Sequence, residues 1–162
     1  MIKEIQVELY NIAKIKINNE DDINDVLQDT IIDIYKGIKK LKDNKLFKTW
    51  AVRILLNNCN SLLKSKYKTN NIISYEEHIQ VCDNIENDKT IEIKNSKLDF
   101  EEIMRILSEQ EKTIFTMFYQ EDYQISEISE ILKLNINTIK SILRRGKEKI
   151  KEKYRELSGY EG

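Results

Sequence analysis

The sequence predicts an all-α protein made of two small helical lobes joined by a flexible acidic linker. Its 162 residues include no proline and only four glycines, so few turn signals interrupt it. Long stretches instead repeat their apolar residues with the period of an amphipathic helix. This periodicity fades from about residue 67 to 96, where Asn, Asp, Glu and Lys dominate. We therefore expect lobes at residues 1–67 and 98–162 and a linker at 68–97.

Three helices are expected in the first lobe. They run from about Ile2 to Ile17, from about Glu20 to Lys40, and from about Phe47 to Ser65. Asn18 or Asn19 can cap the second helix, and a short polar break at 42–45 precedes the third. The second helix carries one apolar stripe, which consists of Ile23, Val26, Leu27, Ile31, Ile34 and Ile38. The third is expected to bury Trp50 or Val52, together with Ile54, Leu55, Leu62 and Leu63.

The second lobe is expected to begin with a helix from about Leu98 to Leu107. Ser108 then opens the pattern S-E-Q-E, in which Glu111 stands at the position that completes a capping box. A further short helix is expected inside the linker, near Ser74 to Val81.

A break at Lys133-Leu134-Asn135 divides the stretch SEISEILKLNINTIKSILRRGKEKI into two amphipathic segments. A turn of this length predicts a helix-turn-helix. Asn135 can cap the second helix, while Lys133 would occupy a left-handed turn position at a cost of about 1 kcal/mol. The residues expected between the two helices are Ile128, Leu132, Leu134, Ile139 and Leu143.

Most of the cations of this stretch lie after the break, on the second helix. In helix-turn-helix proteins this helix enters the major groove, its first turns meet base edges, and its basic flank meets phosphates. The residues expected on its outer face are Thr138, Lys140, Ser141, Arg144, Arg145 and Lys147.

Charge is segregated along the chain, although the formal net charge is only −1. Residues 20–33 are acidic, 36–68 basic, 70–102 acidic and 135–155 basic. Two basic blocks indicate two separate contacts with a polyanion. The first acidic block indicates a contact with a different partner.

The sequence offers no pattern typical of catalysis or metal binding. It contains no paired carboxylates, nucleophile–base set or glycine-rich phosphate loop. Cys59 and Cys82 are isolated and His78 is the single histidine, so ordinary thiols in a reducing cytosol are expected and neither a metal nor another cofactor is. No apolar run reaches the roughly 20 residues of a membrane span, and the first twenty residues lack the apolar core of a signal peptide. The expected location is the cytoplasm.

Three short elements carry a resemblance to a known family. They are DVLQD at Asp25 to Asp29, F-x-T-W-x-x-R-I-x-x-N at Phe47 to Asn57, and T-I-K-S with R-x-G-K at Thr138 to Lys147. In this order the chain resembles an extracytoplasmic-function (ECF) sigma factor of bacterial RNA polymerase over nearly its full length. The first lobe is similar to region 2 and the second to region 4. Ile142 stands where the family often has arginine, and we expect it to pack inward; Gly146 stands where alanine is usual.

The resemblance implies three contact surfaces. The clamp of the largest subunit of the polymerase core would bind Asn24, Asp25, Gln28, Asp29 and Tyr35. An unstacked base of the minus-ten element would be captured beside Leu41, Lys42, Asp43, Asn44, Lys45 and Leu46, with Asn57 on the helix behind. Arg53, also assigned to this element, would contact backbone phosphate or brace the fold. The minus-thirty-five element would meet Thr138, Lys140, Ser141, Arg144, Arg145 and Lys147. The resemblance also implies an anti-sigma factor as a partner and no small-molecule substrate.

Two other functions are compatible with parts of the pattern. A stand-alone helix-turn-helix regulator would bind two-fold-symmetric half-sites, but it leaves the acidic second helix and FKTWAVRILLNN without a role. An all-α interaction module with solvated charges would show no steep dependence of DNA binding on salt.

Overall fold

The computed structural model describes residues 2–70 and 100–158, which form two compact units. Both units are helical and the described residues include no strand, so the predicted all-α class is confirmed. The helices are α1 (Ile2–Lys16), α2 (Glu20–Gly37), α3 (Phe47–Asn70), α4 (Phe100–Ile106), α5 (Glu109–Phe115), α6 (Ile125–Leu132) and α7 (Ile136–Ser158). Short 3₁₀ turns at Ile38–Lys40 and Asn44–Leu46 lie between α2 and α3, and a π turn at Thr116–Gln120 follows α5.

The N-terminal unit is a bundle in which α1, α2 and α3 each pack on the other two. Its innermost side chains are Leu9, Ile12, Ile23, Ile34, Val52 and Leu55. On α2 the predicted stripe is buried at Ile23, Val26 and Ile34 and half-buried at the other three positions. Asn19 caps α2, because its side chain accepts a hydrogen bond from the Asp22 amide (3.1 Å).

A polar link joins α2 to α3 beneath the surface. Thr30, fully buried on the apolar side of α2, donates its hydroxyl to the Val26 carbonyl (2.7 Å). The amide of Asn58 donates to Thr30 Oγ1 and to Asp33 Oδ2, each at 3.2 Å. Because Asn58 of α3 donates to two side chains of α2, these bonds favour one position of α3 along α2.

Helix α3 continues to Asn70, beyond the predicted end at Ser65 and the predicted start of the linker at residue 68. Its added turns are supported by an ion pair between Lys66 and Asp22 of α2, and neither proline nor glycine interrupts them. The remainder of the predicted linker, with the short helix predicted near Ser74 to Val81, lies outside the described residues.

In the C-terminal unit, α5 begins with the predicted capping box. Ser108 Oγ accepts a hydrogen bond from the Glu111 amide (3.3 Å), and Glu111 Oε2 accepts one from the Ser108 amide (2.8 Å). The same carboxylate accepts two hydrogen bonds from Lys149 Nζ, at 2.7 and 2.9 Å, and so ties the start of α5 to α7. Burial raises the pKa of Glu111, but the bonds from Lys149 and Ser108 outweigh it and hold that pKa below its ordinary value.

Gly146 lets α7 approach the aromatic ring of Phe115 closely. A Cβ at this position would lie 2.5 and 2.6 Å from two carbons of the ring, well inside contact distance. The large ring therefore occupies the space that the methyl group of an alanine at position 146 would need.

We expect Gly146→Ala to destabilise the C-terminal unit by about 1 to 3 kcal/mol through overpacking. Alanine is the better helix former by about 0.5 to 1 kcal/mol, so the two effects oppose each other. Thermal unfolding of Gly146→Ala, Phe115→Leu and the double variant measures the coupling between the sites. A stability gain in Gly146→Ala would mean that the ring moves aside at no cost.

Candidate nucleic-acid interface

The turn of the helix-turn-helix has the predicted geometry. Lys133 takes a left-handed conformation, with φ of 56°. Ser129 Oγ donates to the Leu134 carbonyl across the turn (2.6 Å), and Asn135 Oδ1 accepts from the Asn137 amide (2.8 Å). The Asn135 cap is therefore confirmed, and the direction of α7 is set by side chains within the turn.

Three of the five residues predicted to lie between the two helices of this motif are in the interior. Ile128, Ile139 and Leu143 are buried. Leu132 and Leu134, which flank the turn, are only half-buried. Ile142 packs inward with 3% of its surface exposed, as predicted.

Five of the six residues predicted on the outer face of α7 are partly exposed: Thr138, Lys140, Arg144, Arg145 and Lys147. Ser141 is not, since 1% of its surface is accessible. Its side chain is short, and Arg145 folds back over its turn, with Nε donating to the Ser141 carbonyl (3.4 Å). The prediction that Ser141 lies on the outer face is therefore wrong.

The cations of α7 are oriented by their neighbours. Arg144 Nη1 is 2.9 Å from Glu148 Oε1, one turn further along the helix. Lys147 Nζ lies 5.8 Å from the centre of the Tyr119 ring, a cation–π geometry. Since Tyr119 also packs against Phe115 and Phe118, the aromatic cluster positions the charge of Lys147.

Helix α2 presents an acidic face to solvent. Asn24, Asp25, Gln28, Asp29 and Tyr35 are all exposed, as the sequence predicts. Ile32 lies on the same face, with 48% of its surface exposed, and it is not among the contact residues predicted from the sequence. The sequence does mark this residue, because Ile32 is an apolar residue of α2 that falls outside the apolar stripe and is therefore expected to face solvent or a partner. With Tyr35, 78% exposed, it gives this polar face an apolar end.

The segment before α3 is mostly exposed and partly ordered by its own side chains. Leu41 is half-buried, and the five residues from Lys42 to Leu46 are exposed. Asp43 Oδ1 accepts a hydrogen bond from the Lys45 amide (2.9 Å) and so caps the Asn44–Leu46 turn. Asn57 is exposed one turn beyond Arg53 on α3.

Phe47 and Trp50 are placed chiefly by packing. Phe47 is buried, and Trp50 is half-buried with its ring centroid 6.3 Å from that of Phe47. A Cβ at Gly37 would lie 2.8 Å from a ring carbon of Trp50, so the glycine that ends α2 makes room for this ring. Both aromatics therefore serve the fold.

Within residues 2–70 and 100–158, no group of three or more His, Cys, Asp or Glu side chains is arranged to hold a metal ion. In the same part of the chain, no helix combines the length and the apolar character needed to cross a bilayer.

Comparison with known families and proteins matches both units. Sigma-70 region 2 matches residues 1–69, and sigma-70 region 4 matches residues 97–150. The RNA polymerase sigma factor SigV of Bacillus subtilis is 26% identical over 151 residues, which cover 89% of this chain and 82% of SigV. The ECF RNA polymerase sigma-E factor of Haemophilus influenzae is 28% identical over 152 residues, which cover 86% of this chain and 78% of that protein.

A solved structure shares the fold. The sigma factor RpoE of Bartonella quintana, in complex with the anti-sigma factor NepR, superposes with a TM-score of 0.69 at 16% identity, covering 99% of this chain and 96% of RpoE. The two region matches span more than half of the chain and follow each other in the order of the family. The chain therefore belongs to the sigma-70 family, as an ECF sigma factor.

Proposed function

We propose that this sigma factor gives RNA polymerase its promoter specificity through three separate surfaces, one for the polymerase core and two for promoter DNA. The observation that carries the proposal is the separation of charge on exposed helix faces. The polar face of α2 is acidic, whereas the outer face of α7 is basic just beyond a capped turn. An acidic face suits a basic protein surface, and a basic helix after such a turn suits DNA.

The polymerase core docks on the exposed face of α2. The residues assigned to this contact are Asn24, Asp25, Gln28, Asp29 and Tyr35, and the partner is the clamp of the largest subunit. Ile32 adds an apolar contact at the same place. Charge complementarity would set the approach rate and the orientation, while the buried centre of the contact would supply most of the affinity.

The minus-ten element meets the segment from Leu41 to Leu46 and the exposed side of α3. An unstacked base needs hydrogen-bonding groups and apolar walls that return the few kcal/mol spent on flipping. Lys42, Asn44 and Lys45 offer polar groups, and the half-exposed Leu46 offers an apolar one. Arg53 and Asn57 of α3 are assigned to the same element. Asp43 contributes by ordering the turn through its bond to the Lys45 amide.

The minus-thirty-five element meets the start of α7. Thr138 and Lys140 lie in the first two turns of the helix, where side chains reach base edges in the major groove. Arg144, Arg145 and Lys147 lie further along and serve phosphates or a guanine. Ser141, being buried, is left out of this set.

The mechanism is non-enzymatic, because the protein acts by binding and by holding the melted strand. It takes place in the cytoplasm, where the polymerase works, and it involves no small-molecule substrate. RpoE of Bartonella quintana was solved with the anti-sigma factor NepR, and we propose an anti-sigma factor as a partner of this chain as well.

Run-off transcription with purified bacterial core polymerase on a set of genomic fragments tests this function. The expected result is specific initiation from a few fragments that requires both the core and this protein. Binding of the protein alone to two-fold-symmetric sites, without any effect of core polymerase, would instead support a stand-alone regulator.

Lys140→Ala is expected to change the sequence preference of transcription, whereas Lys147→Ala is expected to change only its level. Loss of a base contact at Lys140 should cost about 1 to 3 kcal/mol and relax preference at one position of the upstream element. Loss of a phosphate contact at Lys147 should lower output on all sequences alike. Transcription from a promoter library randomised in the upstream element separates the two results. Equal losses on every sequence for both variants would leave only an electrostatic role for α7.

A further inference from the structure

The exposed charges of α7 include a row of cations that runs along one side of the helix. Lys140, Arg144, Lys147, Lys151 and Arg155 follow one another at spacings of three or four residues, and we call them the basic stripe. Glu148, Glu152 and Glu156 follow at spacings of four on an adjacent face. Residues three or four apart share one side of a helix. The basic stripe therefore runs from the start of α7 almost to its end.

This stripe is longer than one groove of DNA. The 23 residues of α7 span about 35 Å at 1.5 Å per residue. The major groove is about 12 Å wide, so the first turns of the helix fill it. The turns beyond Lys147 then pass the edge of the groove, where the nearest groups on the DNA are phosphates.

Among the lysines beyond Lys147, two are engaged within the protein. Lys149 donates to Glu111, and Lys153 Nζ lies 3.0 Å from Glu156 Oε2. Lys151 is exposed, lies on the basic stripe, and has no ion pair with any residue that the structure describes. Its charge faces solvent on the side that carries the other cations of the stripe.

We propose that Lys151 binds backbone phosphate of the promoter duplex just outside the base-read upstream element. This inference rests on the proposed entry of α7 into the major groove. The contact is independent of sequence, and it lengthens the DNA footprint of the C-terminal unit beyond the bases that the unit reads. Its ligand is a phosphodiester of duplex DNA, because a single exposed ammonium group on a longer basic stripe matches a line of phosphates.

The test compares Lys151→Ala with Lys153→Ala in reconstituted holoenzyme on one promoter fragment. Both changes remove one positive charge from the same helix, but Lys153 lies off the stripe. Each neutralised phosphate contributes about 0.9 to the slope of log affinity against log salt. When the salt concentration rises from 50 to 200 mM, both proteins should lose affinity for the fragment. The factor by which Lys151→Ala loses affinity should be about fourfold smaller than the factor for wild type. Lys153→Ala should keep the wild-type slope.

Phosphate ethylation interference locates the contact. Wild type should show interference within the element and at flanking phosphates, and Lys151→Ala should lose only the flanking signal. An unchanged slope with an unchanged interference pattern, or equal changes in both variants, overturns the role of Lys151. If wild-type holoenzyme binds the fragment no better than core polymerase does, the proposed function fails together with this inference.

Discussion

Glu111→Ala is expected to destabilise the C-terminal unit by about 2 to 3 kcal/mol, because one carboxylate closes the start of α5 and also anchors α7. The variant loses the acceptor for the Ser108 amide and both bonds from Lys149. Hydrogen exchange of the α5 and α7 amides measures the effect directly. The protein's single tryptophan, Trp50, lies in the N-terminal unit, so its fluorescence is an internal control that should not change.

Two further variants separate the contribution of the Glu111 capping bond to stability from that of its interaction with Lys149. Glutamine can still accept from the cap position, so Glu111→Gln should lose only the charged part of the interaction with Lys149. Lys149→Ala should likewise leave the cap in place. Unchanged exchange in α5 and α7 of Glu111→Ala would show that neither contact stabilises the unit.

The lowered pKa of Glu111 makes the stability of the C-terminal unit depend on pH. Burial raises the pKa of Glu111, but the bonds from Lys149 and Ser108 lower it further, so the folded pKa lies below the unfolded one. Stability from Glu111 is therefore fully present above the unfolded pKa and is lost as the pH falls through the folded pKa. Unfolding of wild type between neutral pH and pH of about 3 should show this loss, and Glu111→Gln should show less of it.

The second large effect is expected from Gln28→Ala combined with Asp29→Ala, which should weaken binding to core polymerase about ten- to hundredfold. Both side chains are exposed on the acidic face of α2, so their removal should leave the fold intact. Titration of labelled core polymerase measures the affinity, and circular dichroism checks the fold.

A charge-matched control is available on the same helix. Glu20 is exposed at the first residue of α2, outside the assigned contact, and it accepts a hydrogen bond from Tyr10 (2.9 Å). Glu20→Ala removes one negative charge, as Asp29→Ala does, and should leave the affinity nearly unchanged. Equal weakening by both would point to overall charge, and no weakening by the double variant would remove the docking assignment.

The features that the sequence predicted best depend on residues close together in the chain. The Ser108–Glu111 capping box, the Asn135 cap and the left-handed Lys133 each involve no more than a few consecutive positions. Periodicity likewise placed the polar face of α2 in solvent. The contacts assigned to that face, and to the two DNA surfaces, stay predictions.

The features that the sequence missed depend on partners far along the chain. Thr30 is a polar residue on an apolar stripe, and its partner Asn58 lies 28 residues away. Lys149 looks like one more cation of a basic block, yet it bonds to a carboxylate 38 residues earlier. Ser141 is a local exception, because helical periodicity gives the direction of a side chain but not the path of Arg145, whose Nε donates to the Ser141 carbonyl one turn earlier.

The cap that Asp43 forms on the Asn44–Leu46 turn has a consequence for how the segment meets single-stranded DNA. An unrestrained loop would lose conformational entropy when a base binds, at about 1 to 2 kcal/mol for each residue whose backbone becomes fixed. Because the bond to the Lys45 amide holds the turn already in the free protein, part of that entropy is lost during folding instead. An acidic residue inside a nucleic-acid-binding segment can thus favour affinity through preorganisation, even though its own charge repels the phosphates.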